Sequence, residues 1–412
     1  MLMSSPSPIG RRRAAPGGPE GGPAADPAND RLPERADVAV VGGGLIGLAI
    51  GWRLAEAGLA VAVLERGRAG DGASLAATGM LAAAAEHEPG GDALLPLALE
   101  SQRLWHPFRD ALEAASGLAV DYRSEGTLVI ALGRDEVERL RFRHDLQRRA
   151  GLDVAWLSGP EVRAREPSLR PTVTAGLFCP ADHQVDPVRT VAALRRALRG
   201  AGGRLVEGCP VLSLEREGGR VTGVITAGGS LRAGTVVLAS GAWAGEGSLV
   251  PDLALPVRPL RGQSLALRVG PRSGRLDHVV WTEQVHMAPK GDGQLIVGAT
   301  VEEIGFDASL TAGGLYALLE GARRAFPGIE EMQVENVWSG FRPTSDDDAP
   351  ILGEARPGLV LAVGHHRNGV LLAPVTASAI AGLIGGGALP PVAAPFGPAR
   401  FAPRTARLQR LP

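Results

Sequence analysis

The stretch that decides the fold is residues 38–47, Val-Ala-Val-Val-Gly-Gly-Gly-Leu-Ile-Gly. Its first four residues form an apolar run typical of a buried strand, and residues 45–57 carry apolar side chains at helical spacing. A second apolar run follows at residues 60–64. The order strand, helix, strand predicts a parallel βαβ unit, because two parallel strands need a crossover connection between them.

The glycines of this stretch predict a dinucleotide-binding turn. Gly42, Gly44 and Gly47 fit the pattern G-x-G-x-x-G. The first glycine permits a tight turn, the second lets a pyrophosphate approach the backbone, and the third lets the helix pack closely on the strand. Glu65 ends the second strand, where an acidic residue binds the adenosine ribose and disfavours the 2′-phosphate of NADP. The motif does not separate FAD from NAD.

A run of small residues favours FAD. Residues 73–81 read Ala-Ser-Leu-Ala-Ala-Thr-Gly-Met-Leu, and such small side chains let the backbone contact a long cofactor. The alternative is a packed helix start that contains a methionine of the core.

Composition is that of a globular protein with a small-molecule partner. With 412 residues, 45% hydrophobic and 21% charged, the chain is long enough for two domains. Its 43 basic and 44 acidic residues leave a net charge of -1, so no field favours nucleic acid. No apolar run approaches the ~20 residues of a stable membrane insertion, and no signal peptide is predicted. Cys179 and Cys209 lack the spacing of a zinc site or disulfide framework, which predicts a cytoplasmic protein with reduced cysteines.

The predicted fold class is α/β: a Rossmann-like FAD-binding domain with an inserted α+β substrate domain built on a mainly antiparallel sheet. Residues 359–363 and the apolar helix after them are Rossmann-like again, so the nucleotide domain is expected to be discontinuous. The predicted limits are a disordered tail at 1–35, the FAD-binding domain at 36–118, 175–258 and 338–386, the substrate domain at 119–174 and 259–337, and a C-terminal extension at 387–412.

Two further motifs carry charge. Arg342 lies in Trp-Ser-Gly-Phe-Arg-Pro-Thr, residues 338–344, and a guanidinium binds a carboxylate through two parallel hydrogen bonds. An ion pair with one of the aspartates at 346–348 is an equal alternative. Residues 364–369, Gly-His-His-Arg-Asn-Gly, lie between a strand and a helix whose positive end favours an anionic flavin. The two histidines have no acidic or cysteine partner near them in sequence, so no metal site is predicted.

Together these motifs resemble the D-amino-acid oxidase family of FAD-dependent oxidoreductases, over residues 37–383, and within it the branch that oxidises glycine for thiamine biosynthesis. The resemblance rests on six separated motifs, at residues 42–47, 76–81, 237–243, 259–262, 338–343 and 364–371.

The resemblance implies which residues contact non-covalent FAD. They are Gly42, Gly44, Leu45, Ile46, Gly47, Glu65, Arg66, Ala73, Ser74, Thr78, Gly79, Met80, Val211, His365, His366, Arg367, Asn368, Gly369, Val370 and Leu371.

It also implies a substrate pocket. Arg342 corresponds to the arginine that binds the substrate carboxylate, Arg367 to the loop that closes the site, and Met80 to a residue beside the substrate. The family usually has a tyrosine where this chain reads Val-His-Met-Ala-Pro at 285–289. His286 is expected either to donate a hydrogen bond in place of that tyrosine, which would make substrate affinity pH-dependent, or to mark a different substrate.

The implied activity is oxidative deamination of glycine or a similar small amino acid by hydride transfer to the flavin, with no obligatory catalytic side chain. Oxygen as the second substrate would give an imino acid and hydrogen peroxide, and the imino acid would supply thiazole synthesis in thiamine biosynthesis. A hand-off to thiazole synthase and a homo-oligomer are left open. The alternatives are a D-amino-acid or sarcosine-type dehydrogenase that uses another acceptor, and a non-catalytic dinucleotide-binding protein.

Overall fold

The structure, a computed structural model, describes residues 31–247 and 249–401. Over these residues the chain forms eight α-helices. They are α1 (Leu45–Glu56), α2 (Ala73–Ala76), α3 (Leu95–Ser116), α4 (Arg134–Arg149), α5 (Gly159–Arg165), α6 (Pro187–Gly200), α7 (Ala312–Ala325) and α8 (Ala373–Ile384). Short 3-10 helices lie at Gly241–Glu246, Pro327–Glu331, His366–Asn368, Ala394–Phe396 and Pro398–Phe401.

The same residues form three sheets. The strands in chain order are β1 (Arg35–Val41), β2 (Val61–Leu64), β3 (Met80–Leu81), β4 (Thr127–Ala131), β5 (Ala155–Ser158), β6 (Ala175–Cys179), β7 (His183–Gln184), β8 (Arg204–Val206), β9 (Val211–Glu217), β10 (Arg220–Thr226), β11 (Gly229–Leu238), β12 (Val257–Arg268), β13 (Val279–Trp281), β14 (His286–Pro289), β15 (Gln294–Gly298), β16 (Gln333–Ser345), β17 (Ile351–Arg356) and β18 (Leu359–Val363).

The first sheet contains the predicted βαβ unit. Its order is β17-β18-β11-β1-β2-β8, with β10 and β9 continuing from β11. β1 pairs in parallel with both β2 and β11, so the Rossmann-like prediction is confirmed. All four residues of β2 are buried, as expected for a strand covered on both faces.

Helices cover one face of this sheet. Val38 and Val40 of β1 face α1, α3, α6 and α8 in one apolar core, whereas Ala39 and Val41 face the other side. Within the helical layer, Trp52 of α1 and Trp105 of α3 both make edge-on contacts with Phe108, at 5.4 and 5.3 Å between ring centroids. These contacts pack α3 against α1, the helix that follows the glycine turn.

The second sheet is mainly antiparallel, as predicted. Its order is β16-β12-β15-β14-β13-β4-β6-β5, and only β13 with β4 runs parallel. β12 and β16 pair over their whole length, from Val257 with Ser345 to Arg268 with Gln333. The short pair of β3 and β7 forms a third sheet.

Strand pairing contradicts two of the predicted domain limits. β6 pairs with β4 and β5, so residues 175–179 belong with the second sheet and not with the FAD-binding domain. Residues 338–345 likewise complete β16 in the second sheet. Both segments are apolar strands whose sequences do not say which sheet they join. The remaining limits stay a prediction.

The predicted tail lies outside the described residues up to residue 30, and Arg35 already begins β1. In the predicted C-terminal extension, Phe396 is buried against the helical core. Within the described part of the chain, no helix combines the length and apolarity needed to cross a membrane.

Candidate active site

The turn after β1 excludes side chains at two of its glycines. Gly42 has a φ of +113°, and a Cβ there would lie 2.3 Å from the Ala239 carbonyl oxygen. A Cβ on Gly47 would lie 1.9 Å from the carbonyl oxygen of Gly42. α1 then begins at Leu45 with no side-chain cap, and the Leu45 N–H donates to Ser74 Oγ at 2.8 Å. The N-terminal end of α1 is thus open to an anionic ligand.

Glu65 is held at the end of β2 by the backbone. Its Oε2 accepts from the Gly43 N–H at 2.8 Å and its Oε1 from the Gly67 N–H at 2.9 Å. A carboxylate has about four acceptor positions. The two that remain can accept the hydroxyls of a ribose.

Lys290, which the sequence analysis did not single out, holds the small-residue segment in place. It is the only lysine in the chain, and it is buried. Its Nζ donates to the carbonyl oxygen of Thr78 at 2.6 Å, to Gln184 Oε1 at 2.9 Å and to the carbonyl oxygen of Val185 at 2.9 Å. The compact ammonium can donate to three acceptors that converge on one point. A planar guanidinium does not fit such an arrangement.

These elements surround one cavity of about 1220 Å³ that runs from the phosphate turn to the second sheet. Most of the predicted cofactor residues line it. They are Gly42, Gly44, Leu45, Ile46, Glu65, Arg66, Ala73, Ser74, Thr78, Gly79, Met80, Val211, His365, His366, Arg367, Gly369 and Val370. The predicted substrate residues Arg342 and His286 line it as well.

Three predicted cofactor residues do not line the cavity. Gly47 packs against Gly42, as described above. Asn368 is buried in the 3-10 turn, where its N–H donates to the His365 carbonyl oxygen. Leu371 is buried, and its carbonyl oxygen accepts from Ser101 Oγ at 2.6 Å and from Trp105 Nε1 at 2.9 Å. These three residues shape the turns around the cavity, and their contact with a cofactor stays a prediction.

Arg342 extends from β16 across the neighbouring strand β12. Its Nη1 donates to the Thr300 carbonyl oxygen at 3.1 Å and to the Arg261 carbonyl oxygen at 3.4 Å. Among the described residues, no carboxylate lies within ion-pairing distance of this guanidinium. Burial lowers the pKa of Arg342, opposed by the charge of Glu86, yet an arginine stays protonated. The cavity therefore contains a positive charge without a carboxylate partner.

The alternative that Arg342 pairs with the nearby aspartates is wrong. Asp346 pairs with Arg258 at 3.5 Å, and Asp347 pairs with Arg400 at 2.7 Å. Asp348 lies 3.9 Å from His366 Nδ1. The strand turns the Arg342 side chain into the cavity and these carboxylates away from it.

His286 of β14 approaches the same part of the cavity. Its Nε2 is buried and has no hydrogen-bond partner within the described ranges. Burial, together with the charges of Arg342 and Lys290, lowers the pKa of His286 to about 3. The imidazole is therefore neutral at ordinary pH. The expectation that its hydrogen bond makes substrate affinity pH-dependent stays a prediction.

Met80 and Trp281 form a wall beside His286. The Trp281 indole N–H donates to Met80 Sδ at 3.2 Å, and the Trp281 and His286 rings lie 5.7 Å apart. All three side chains line the cavity. Sequence reasoning identified Met80 but not Trp281, because the two residues are 201 positions apart.

Glu86 and Arg367 pair at the cavity. Arg367 forms an ion pair with Glu86 and another with Glu88, at 3.3 Å. Burial raises the pKa of Glu86, and the charges of Arg367 and Arg143 oppose that effect. The pair ties the turn at 365–369 to the segment after β3, and Glu86 was also missed from sequence.

The two histidines of that turn contact threonines. His365 Nε2 lies 3.1 Å from Thr376 Oγ1, and His366 Nδ1 lies 2.8 Å from Thr344 Oγ1. Over residues 31–247 and 249–401, no group of three or more His, Cys, Asp or Glu side chains is arranged to hold a metal ion. Both histidines have a lowered pKa because they are buried, to about 3 for His365 and about 4 for His366.

Comparison with known proteins agrees with this geometry. The family model "DAO: FAD dependent oxidoreductase" matches residues 37–383. The "Glycine oxidase" of Geobacillus kaustophilus (strain HTA426) is 37% identical over 357 residues, which cover 86% of this chain and 94% of that protein. The crystal structure of glycine oxidase from Geobacillus kaustophilus superposes with a TM-score of 0.84 at 35% identity, covering 90% of this chain and 100% of that one.

A longer relative shares the same region. The "Bifunctional protein ThiO/ThiG" of Synechocystis sp. (strain ATCC 27184 / PCC 6803 / Kazusa) is 37% identical over 372 residues. The match covers 89% of this chain but only 54% of the relative. The chain therefore spans about half the length of its bifunctional relatives.

The residues of the cavity fit FAD. The glycine turn and the uncapped α1 suit a pyrophosphate, and Glu65 suits a ribose without a 2′-phosphate. Ser240 Oγ is buried beside this turn without a hydrogen-bond partner in the described part of the chain, and Ser240 lines the cavity. A polar cofactor group would satisfy it.

Proposed function

Because the chain belongs to the DAO family of FAD-dependent oxidoreductases, we propose that it oxidises glycine or a similarly small amino acid. The products are the imino acid and, with oxygen as the second substrate, hydrogen peroxide. The observation that carries the proposal is the guanidinium of Arg342, which lines the cavity and bonds only to backbone carbonyl oxygens in the described residues.

Arg342 binds the substrate carboxylate. A charge-assisted, bidentate pair with a carboxylate is stronger than the two bonds to neutral carbonyls that it makes here. Placing the carboxylate fixes the rest of a small molecule, so the α-carbon is presented in one orientation.

His286 supplies a neutral donor beside that carboxylate. The folded chain keeps the imidazole uncharged, so one ring nitrogen carries a hydrogen and the other does not. A neutral donor assists carboxylate binding without adding a second positive charge, which would repel an ammonium group. It replaces the tyrosine that the family usually has.

Met80 and Trp281 limit the side chain of the substrate. Their sulfur–indole contact borders the space next to His286. A glycine needs no room there, whereas a larger amino acid needs the wall to move. Steric exclusion of this kind favours the smallest substrates.

When bound, FAD supplies the hydride acceptor for this reaction. The chain's own residues orient the substrate and exclude water, and no side chain has to remove the α-hydrogen as a proton. Consistent with this, the imidazole of His286 is a weak base, because its pKa is about 3.

The relatives support the substrate and a metabolic setting. The Geobacillus protein of nearly equal length is named for glycine oxidation, and the cyanobacterial relative joins ThiO to ThiG in one chain. We propose that the imino acid supplies thiazole synthesis for thiamine, with a separate thiazole synthase receiving it. We place the reaction in the cytoplasm, a proposal supported by the two free cysteines, Cys179 and Cys209.

The test is anaerobic bleaching of the holoenzyme. Glycine, sarcosine, proline and D-alanine are mixed with the FAD-loaded protein without oxygen, and the visible absorbance is followed. Glycine is expected to bleach the flavin fastest, and readmitted oxygen is expected to restore the colour with release of peroxide. Bleaching without peroxide, together with dye reduction, would indicate a dehydrogenase. No bleaching by any amino acid would indicate a non-catalytic protein and end the proposal.

A further inference from the structure

Gly262 lies directly beneath the guanidinium of Arg342. A Cβ built on Gly262 would be 2.6 Å from Arg342 Nη1, 2.8 Å from Nη2 and 2.9 Å from Cζ. The guanidinium of Arg342, the proposed substrate-binding group, thus lies in the space that a side chain at position 262 would fill.

The backbone of Gly262 does not require glycine. The residue sits in the middle of β12, opposite Gly340 of β16, and its φ is outside the left-handed region. Glycine inside a strand weakens the strand and often marks a place where another group approaches closely. The three nearest atoms of other residues in the described chain all belong to the Arg342 side chain, so this is the group that approaches here.

The neighbouring strand, β15, also has a glycine beneath a polar side chain, in this case the imidazole of His286. A Cβ on Gly298 of β15 would lie 2.8 Å from His286 Nε2 and 3.0 Å from Ser264 Oγ. Gly298 is aligned with Ser264 of β12 on one side and with His286 of β14 on the other. Two glycines on adjacent strands therefore lie under the two polar groups of the substrate end.

We propose that Gly262 is a positioning residue that sets how close to the sheet the Arg342 guanidinium lies, and so where the carboxylate of a small amino acid is held. The proposal rests on the proposed function. Non-bonded carbon contacts settle at about 3.5–4.0 Å, so a methyl group at position 262 displaces the guanidinium by about 1 Å. A displacement of about 1 Å at a reacting substrate costs on the order of 100-fold in rate.

The test is the variant Gly262→Ala, studied as the FAD-loaded protein. Acetate, which has the carboxylate of glycine but cannot be oxidised, is titrated while the flavin absorbance is recorded. We expect the Kd of acetate to rise at least ~10-fold and the KM of glycine to rise with it. The FAD content and the thermal midpoint should stay near those of the wild type, because the alanine moves only the end of a flexible side chain.

A double-mutant cycle separates positioning from a general effect on the strand. In an Arg342→Ala background, Gly262→Ala is expected to change the Kd of acetate by less than about 2-fold, because the group that it displaces is gone. Gly313→Ala on α7 is the matched control, since a Cβ there meets no atom within 4 Å. It should leave acetate binding unchanged.

Several results would overturn the proposal. They are wild-type affinity for acetate in Gly262→Ala, loss of FAD from that variant, an equal weakening in the Arg342→Ala background, and a wild type that does not bind acetate. Failure of the proposed function looks different, because a protein that oxidises no amino acid can still show an acetate site that depends on Arg342 and Gly262.

Discussion

The indole N–H of Trp281 donates to the sulfur of Met80 at 3.2 Å, which joins β13 of the second sheet to β3 beside the cofactor segment. Both side chains line the cavity next to His286. The contact connects two residues that come from different sheets, and we expect it to set the size of the substrate.

Removing the indole should widen the substrate range. For Trp281→Ala we expect the kcat/KM for D-alanine or proline, relative to glycine, to rise at least ~10-fold, because the lost ring leaves room for a substrate side chain. Steady-state kinetics with each amino acid measure the ratio. Trp156→Ala, on β5 away from the cavity, is the control and should keep the wild-type ratio. An unchanged ratio in Trp281→Ala would show that another group limits substrate size.

Removing the guanidinium should weaken substrate binding and leave FAD binding unchanged. For Arg342→Ala we expect a loss of at least about 3 kcal/mol in apparent glycine affinity, on the order of 100-fold or more, because the carboxylate would lose its charged partner. The KM for glycine and the FAD content measure the two effects separately. Arg272→Ala, whose side chain is 84% exposed, is the control. A normal KM for glycine in Arg342→Ala would refute the assignment.

Lys290 should matter for the cofactor rather than for the substrate. Lys290→Met removes the donor to two backbone carbonyls and Gln184. Each lost bond costs about 1 kcal/mol or more, so we expect FAD to dissociate at least ~10-fold more readily. Lys290→Arg should not restore binding, because the guanidinium is planar and larger. Fluorescence of released FAD measures the Kd, with the exposed Arg275→Met as control. Full recovery by arginine would contradict this role.

Acid should destabilise the folded chain in part through His365. Burial lowers the pKa of His365 from 6.5 to about 3, so the unfolded chain takes up a proton that the folded chain does not. The contribution of this group to the free energy of unfolding is therefore complete above about pH 6.5. It is lost as the pH falls towards 3, by up to about 1.4 kcal/mol per pH unit.

The variant His365→Gln tests the sign of this effect. It keeps a polar side chain near Thr376 but cannot take up a proton between about pH 5 and 7 in the way that histidine does. Urea unfolding at about pH 7 and about pH 5 should show a smaller loss of stability in the variant than in the wild type. His144→Gln, whose side chain is 26% exposed, is the control. A loss as steep in His365→Gln as in the wild type would rule out this contribution.

Local patterns predicted the cofactor half of the site. The glycines at 42, 44 and 47 lie within six residues of one another, and the strand before them and the helix after them have clear periodicities. Glu65 follows at the end of the next strand in the same βαβ unit. Such features depend on neighbours in sequence, so the sequence is enough to place them.

The substrate half was predicted only in part. Arg342, His286 and Met80 came from resemblance to a family, and all three line the cavity. Trp281, Glu86 and Lys290 were missed, because nothing near them in sequence distinguishes them. Gly262 ends the motif at residues 259–262, but the sequence does not show that Arg342 lies against it. The limits at residues 175 and 338 were misplaced for the same reason, since an apolar strand does not specify its partner.

By itself, the sequence determined that the chain contains a βαβ unit with a glycine turn, a free helix end and an acid at the end of the second strand, because hydrogen-bond geometry and side-chain periodicity act over a few residues. Only the tertiary structure decided what the guanidinium of Arg342 meets, why His286 is uncharged and which glycines lie beneath these two side chains. Those properties arise from the register of β12, β14, β15 and β16 and from burial, and both exist only once distant segments have packed together.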